Sequence, residues 1–301
     1  MIYSVGSIFL DHIIKINSFP KKPVKVFAKG IEKRLGGSAA VASFTIKKLG
    51  INTAFIGRFG DDDVSKSLKR ELKKFKIKYK DSVIIKGAQS SQSYVYEDKD
   101  GERLLAAFNE KKLLNNKKLP KISFIKNTTF ITDLRWIEAT LYIAKNCHKK
   151  NLIHVVDLDN YKLTSQIKKI VDLASHPIFS ETGALEFTKS KSIINSLKQM
   201  NSIKNKFYAI TAGEKGVYWI ENGIIFNCRP PAIKVVETNC AGDVFHGAFA
   251  SFIHKKHSMI DTMKLATAAA SLKCTKNGGI YSIPSYSSVK NFAKKIQLRK
   301  I

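Results

Sequence analysis

Apolar and polar positions along this chain follow two alternating rhythms. Short apolar runs rich in β-branched and aromatic residues recur at 2–5, 53–56, 129–132, 153–157 and 207–211, each about the length of one buried strand. Between them, stretches with a period near 3.6 at 38–49, 64–75, 137–148 and 164–174 predict helices. This alternation predicts an α/β protein with a mostly parallel central sheet. Residues 13–33 and 83–107 break the rhythm: they read as extended, partly alternating strands with no helix to bury a face. Asp98-Lys99-Asp100-Gly101 predicts a hairpin turn inside the second. Together the two stretches predict a small antiparallel sheet projecting as a lid over a ligand cleft. After Phe226 the chain is expected to be mainly helical, at 243–254, 259–275 and 287–297. No internal repeat or long polar linker divides it, so residues 1–301 are expected to form one domain.

Composition narrows the partners. With 44% hydrophobic residues the chain can build a large core. No apolar run approaches the ~18–20 residues that span a bilayer, so no membrane role is expected. The start runs directly into a strand with no basic leader, and Cys147, Cys228, Cys240 and Cys274 show neither pairing nor metal-ligand spacing. A soluble protein of the reduced cytoplasm is the expectation. The net charge of +28 raises nucleic-acid binding, but only seven basic residues are arginine (34, 58, 70, 103, 135, 229 and 299). The lysines are spread over helix faces and flanks such as 66–80, with no aromatic-interleaved stripe. Anionic small molecules, not nucleic acid, are the expected partners.

The run Glu237-Thr238-Asn239-Cys240-Ala241-Gly242-Asp243-Val244-Phe245-His246-Gly247-Ala248 carries the candidate chemistry. Small residues at 240–242 precede an apolar helix expected to start near Asp243. Free N–H groups and the positive dipole end at a helix N-terminus can hold an anion. Beside such a site Asp243 could take a proton from an attacking hydroxyl. The plainer alternative is that Asp243 only caps the helix after a turn at Gly242.

This run resembles the C-terminal signature of the ribokinase (PfkB) family of sugar kinases, D-T-x-G-A-G-D-x-F-x-G-A, with Glu237 for the usual Asp and Cys240 for the first Gly. The resemblance implies a three-layer, Rossmann-like fold with a projecting lid, and ATP-dependent phosphoryl transfer to a sugar hydroxyl. It makes Asp243 the catalytic base and assigns the anion hole to the backbone of Cys240, Ala241 and Gly242. Cys240 fits such a turn only at negative φ, and is expected to be a buried structural cysteine. The segment 6–11 is similar to the family's first strand with its sugar-binding aspartate, Asp11, at the strand's end. Gly36 and Gly37, ahead of a helix, resemble the di-glycine signature that meets the sugar; Val41 stands where Asn is common. Gly57-Arg58-Phe59-Gly60-Asp61-Asp62 matches as a structural turn. Thr211, Gly213 and Gly216 resemble the nucleotide-side T-x-G-x-x-G element, and Gly279 the late glycine turn beside the adenine and monovalent-cation loop. Ser180 and Gly183 replace the Asn and Glu of the N-x-x-E motif, which leaves Ser180 on the nucleotide side and Glu181 as the candidate metal ligand. The implied small molecules are ATP and Mg2+, with K+ as a further candidate.

Among branches of this family the chain looks most like the sulfofructose kinases, on Ser90 to Ser93, Gly101 to Arg103, Asp133 to Trp136, Phe179 to Glu181 and Leu272 to Thr275. A sulfonate needs fixed cationic donors. Arg135, with Trp136 to pack its guanidinium, and Lys25 on the lid are the candidates. Ala107 departs from that branch, where a polar residue is usual, although Asn109 is near. A kinase for a neutral sugar or nucleoside, and a catalytically silent sugar sensor, remain the alternatives. The lid's open edges suggest a homodimer formed through it.

Overall fold

A computed structural model describes residues 1–99, 101–159 and 161–301. The strands are β1 (Ile2–Val5), β2 (Phe9–Lys15), β3 (Gly30–Gly36), β4 (Thr53–Ile56), β5 (Arg58–Phe59), β6 (Val83–Ile84), β7 (Gln92–Glu97), β8 (Arg103–Phe108), β9 (Thr129–Thr132), β10 (Ile153–Leu158), β11 (His176–Ser180), β12 (Tyr208–Thr211), β13 (Val217–Glu221), β14 (Ile224–Arg229) and β15 (Gln297–Lys300). The helices are α1 (Ser38–Lys48), α2 (Asp63–Lys74), α3 (Lys111–Leu114), α4 (Ile137–Lys149), α5 (Ser165–Leu173), α6 (Glu181–Thr188), α7 (Ile193–Ile203), α8 (Ala241–His254), α9 (Met259–Cys274) and α10 (Tyr286–Ala293).

Among the described residues the main sheet has nine strands in the order β15-β14-β13-β12-β11-β10-β9-β1-β4. From β12 to β4 neighbours run parallel, and β13, β14 and β15 extend the sheet antiparallel. The central strands are buried on both faces, as their unbroken apolar runs demand. One face packs on α1, α8, α9 and α10, and the other on α4, α5, α6 and α7. The layer of α1 against α8 is tight: a Cβ at Gly247 would lie 2.7 Å from the Ala42 carbonyl oxygen, so only glycine allows this crossing. The α/β, three-layer expectation holds.

The small sheet exists with different bounds and pairing. Its order is β3-β2-β7-β8, and its central pair, β2 with β7, is parallel; only the outer pairs are antiparallel. Residues 17–29, with Pro20, Pro23 and a lysine cluster, form no strand, because proline cannot donate to a ladder and the lysines favour water. Residues 83–84 pair instead with β5 as a separate two-stranded piece. Of the hairpin turn expected at 98–101, Asp100 lies outside the described residues; Gly101 N–H donates to the Asp98 carbonyl at 3.2 Å. The C-terminal segment also departs from expectation. Helix α10 stops at Ala293, and the polar Gln297–Lys300 adds an exposed edge strand to β14.

Candidate active site

The carboxyl ends of β1, β9, β10, β11 and β12 lie side by side, because those strands are parallel neighbours. In open α/β sheets ligands bind in the crevice outside these ends. The expected residues are distributed over this edge, the lid and the start of α8.

Asp11 lies within β2 of the lid, not at the end of a strand of the main sheet. Its Oδ1 accepts from Ser93 Oγ on β7 at 2.6 Å. A Cβ at Gly36 would lie 2.1 Å from Asp11 Oδ2, so glycine is what lets β3 pass the carboxyl. Burial raises the Asp11 pKa, partly offset by Ser93, His12 and Arg34. Gly37 follows as the N-cap of α1, and Val41 is fully buried in the core.

Asp243 sits in the first turn of α8, half-buried. The helix starts at Ala241, two residues before the position expected from sequence. Its N-cap, Cys240, has φ 62°, so the expectation of a negative φ is overturned. A left-handed residue with a side chain thus stands where the signature has glycine, at an intrinsic cost of about 1–2 kcal/mol. Burial raises the Cys240 thiol well above its ordinary pKa, helped by Asp243 and Asp11, which fits a structural and unreactive cysteine. The Ala241 N–H is occupied by the Thr238 carbonyl at 3.2 Å. The N–H groups of Gly242 and Asp243 have no backbone partner among the described residues. The Cys240 N–H has no backbone partner either, so of the expected donors only Ala241 is taken, and Asp243 N–H joins Cys240 and Gly242 as a candidate donor.

Burial raises the Asp243 pKa to about 7, with Asp157 and Asp133 adding to the rise while Ser38 and His246 oppose it. Asp157 lies near the end of β10, where side chains alternate between faces: Val155 packs toward α8 while Val156 and Leu158 pack toward the opposite helices. Asp157 thus faces α8, where its Oδ1 lies 3.6 Å from His246 Nε2. Asp133, at the end of β9, accepts from Ser7 N and Oγ, Ala39 N and Arg135 N at 2.6–3.1 Å. It ties β1, α1 and the 134–136 turn together.

Beside this hub is a cleft of about 300 Å³ lined by residues 6–9, Arg58, Ser91, Asn109, Leu113, Leu114, Leu134 and Arg135. Arg135 lines this cleft. Trp136 is buried beneath Arg58, whose guanidinium carbon lies 5.1 Å from the indole centroid. Arg58 donates to the carbonyls of Leu114 at 2.6 Å and Arg135 at 2.9 Å. Read from sequence as part of a structural turn, Arg58 is a missed cleft residue. Its scarcity as an arginine was the available signal. Lys25 is not among the residues lining this cleft. It is exposed on the 17–29 segment, its ammonium 5.2 Å from the Phe27 ring centroid.

Ser180 and Thr211, expected to face the nucleotide, are register partners at the ends of β11 and β12. Ser180 Oγ accepts from Gly183 N–H at 3.0 Å and caps α6, so the hydroxyl that replaces the family's Asn serves the helix. Gly213 opens a 3-10 turn closed by Gly216, whose carbonyl accepts from Ala212 N–H at 2.8 Å. Asn227, buried on β14, donates to the Lys215 and Val217 carbonyls and fixes this turn. Glu181 lies 3.4 Å from Lys215 Nζ. No cluster of three or more His, Cys, Asp or Glu among the described residues could cage a metal. Magnesium carried by nucleotide phosphates needs only one or two protein carboxylates, and Glu181 fits that lesser role.

Gly279 is placed apart from those strand ends, with its N–H donating to Glu237 Oε2 at 3.3 Å. Glu237 also holds Arg34 of β3 at 2.6 Å and the fully buried Lys273 of α9 at 2.6 Å. This network, which the sequence did not reveal, joins the lid to the turn before Asp243.

No helix among the described residues is long and apolar enough to cross a membrane. The pfkB family carbohydrate kinase profile matches residues 1–286. A ribokinase of Haemophilus influenzae is 22% identical over 296 residues, covering 96% of each chain. The crystal structure of the Methanocaldococcus jannaschii nucleoside kinase superposes with a TM-score of 0.85 at 20% identity, covering 98% of both chains. The Arabidopsis thaliana ribokinase, solved with ribose and ATP, superposes with a TM-score of 0.83 at 22% identity, covering 97% of this chain and 98% of its own. With the profile spanning nearly its whole length, this chain belongs to the pfkB family of carbohydrate kinases, phosphotransferases with an alcohol group as acceptor.

Proposed function

We propose that this protein transfers the γ-phosphoryl group of ATP to a hydroxyl of an anionic ketose such as sulfofructose. The observation that carries the kinase reading is Asp243 at the open N-terminus of α8, beside the free N–H groups of Gly242 and itself. Asp11 and the backbone at Gly36 and Gly37 hold the sugar. Asp243 takes the proton of its attacking hydroxyl, and the oxygen forms a bond to the γ-phosphorus as the bond to ADP breaks. The helix N-terminus stabilises charge on the transferred phosphoryl oxygens. ATP lies along the ends of β11 and β12, at Ser180, Thr211, Gly213 and Gly216. Magnesium, when bound, would neutralise phosphate charge, with Glu181 as its protein ligand.

The anionic substituent is inferred from the two guanidinium groups on one cleft. Burial lowers the Arg58 pKa, only partly offset by Glu138 and Asp133, so a bound sulfonate or carboxylate would add to that counter-charge. A substrate panel tests this reading: ATP turnover with sulfofructose, fructose, ribose and a nucleoside. Preference for the sulfonated ketose is expected, and preference for a neutral sugar overturns the anionic assignment alone.

The lid supports a homodimer. Every residue of β8 is exposed, and Phe27, Ile31, Leu104 and Leu105 are at least 58% exposed. A second lid would cover this apolar surface.

A further inference from the structure

Behind Asp243 two buried side chains face each other with a proton unaccounted for. His246 Nδ1 lies 2.7 Å from the Gly242 carbonyl oxygen. A carbonyl only accepts, so Nδ1 carries a hydrogen, and in a neutral ring Nε2 is bare. Nε2 points at Asp157 Oδ1, 3.6 Å away, and the two side chains are 4% and 8% exposed. Neither atom has a hydrogen-bond partner. Two bare acceptors buried face to face repel each other and leave both unsatisfied, at a cost on the order of 1–3 kcal/mol each. A proton between them removes the conflict and draws them within bonding distance.

We propose that Asp157 and His246 share one proton, carried on the Asp157 carboxyl and directed at His246 Nε2, and that this pair keeps Asp243 the ionised carboxylate of the centre. The proposal rests on the reading of Asp243 as base. The surroundings favour the neutral form over an imidazolium–carboxylate pair. Burial raises the Asp157 pKa well above normal, reinforced by Asp133 at the end of β9 and Asp159 beyond β10, against Arg135 of the 134–136 turn and Ser38 of α1. Burial lowers the His246 pKa, against the Gly242 carbonyl, Asp243 on α8, the Ile178 backbone of β11 and Asp159. Both directions put the proton on the acid. With Asp157 neutral, its repulsion of the Asp243 charge disappears, and the base stays ionised at neutral pH. Asp157 and His246 are positioning residues: neither touches the reacting hydroxyl.

The most direct test is nitrogen NMR of the full-length enzyme labelled at histidine. His246 is expected to show one protonated and one bare ring nitrogen from pH 6 to 8; a doubly protonated ring at pH 7 overturns the proposal. Two variants read the consequence. Asp157→Asn supplies an uncharged donor to Nε2, so kcat/KM at pH 7 should stay within a few-fold and its acid limb should stay or move to lower pH. A loss beyond about tenfold with unchanged thermal unfolding shows that the charged carboxylate is needed and sinks the idea. His246→Phe removes the acceptor and should move the acid limb up by about one pH unit; an unmoved limb, where Asp243→Asn has abolished turnover, contradicts the proposal. If Asp243 is not the base, the ring spectrum stays as predicted while neither variant moves the acid limb, which separates the two failures.

Discussion

Lys273 Nζ lies 2.6 Å from Glu237 Oε2, with the two side chains 0% and 4% exposed. An ammonium so buried is tolerable only with its counter-charge in place. Burial pushes the Glu237 carboxyl up, but Lys273, Arg34 and the Gly279 N–H outweigh it and hold its pKa below normal. A depressed carboxylate stabilises the fold above its unfolded pKa and loses that contribution as pH falls through the folded value. Glu237→Gln should therefore cost about 3–5 kcal/mol at pH 7. The gap to the parent in urea unfolding should narrow on acidification below pH ~4. A gap that is constant with pH would show that the charge of Glu237 is irrelevant.

Cys240 offers a test of backbone strain. Cys240→Gly relieves a left-handed residue, and the gain exceeds the added chain entropy of glycine, so stability should rise by up to about 1 kcal/mol. Turnover should be unchanged, because the donors at this turn are backbone groups. A lower melting temperature would mean that the half-buried thiol contributes more packing than the strain costs.

The cleft guanidiniums predict a contrast between substrates. Arg135→Ala should raise KM for an anionic ketose by tens of fold, on the scale of about 2–5 kcal/mol for a truncated charged pair. Turnover of a neutral ketose should barely change. Equal losses on both substrates would indicate damage to the fold instead. Arg58 is a poorer probe, because it also packs on Trp136.

Dimerisation through the lid is checked by sedimentation. A dimer is expected at micromolar concentration, and Leu104→Lys, at a position 58% exposed, should dissociate it. A parent protein that sediments as a monomer, with or without sugar, contradicts this role for the lid.

Much of the central layer was legible because buried parallel strands are unbroken apolar runs: β1, β4 and β9 lie where the sequence put them. What failed depended on partners distant in sequence. The parallel pairing of β2 with β7 is chosen by the chain between them, which no local alternation reports. β15 is mostly polar and every residue of it is exposed, so it carries no burial signal. In the site, Asp243 and the small residues before it were legible from one contiguous run. Glu237 was legible only as a departure from the signature's Asp, and its pairing with Arg34 and Lys273 emerges only when the fold brings β3, the 237–240 turn and α9 together. Asp157 ends an apolar strand run and His246 interrupts an apolar helix; both marks were visible, but their meeting depends on how α8 lies on β10.

The base assignment of Asp243 is the claim on which the rest depends, and Asp243→Asn tests it most directly. The carboxamide keeps the shape at the start of α8 and removes the proton acceptor. Steady-state ATP turnover with the preferred sugar should fall by roughly 10²–10⁴, the scale of a lost general base. Calorimetric affinities for sugar and for ATP should stay close to those of the parent. Turnover within a few-fold of the parent would contradict the account, and a parent that binds sugar without turning over ATP would identify a sensor instead.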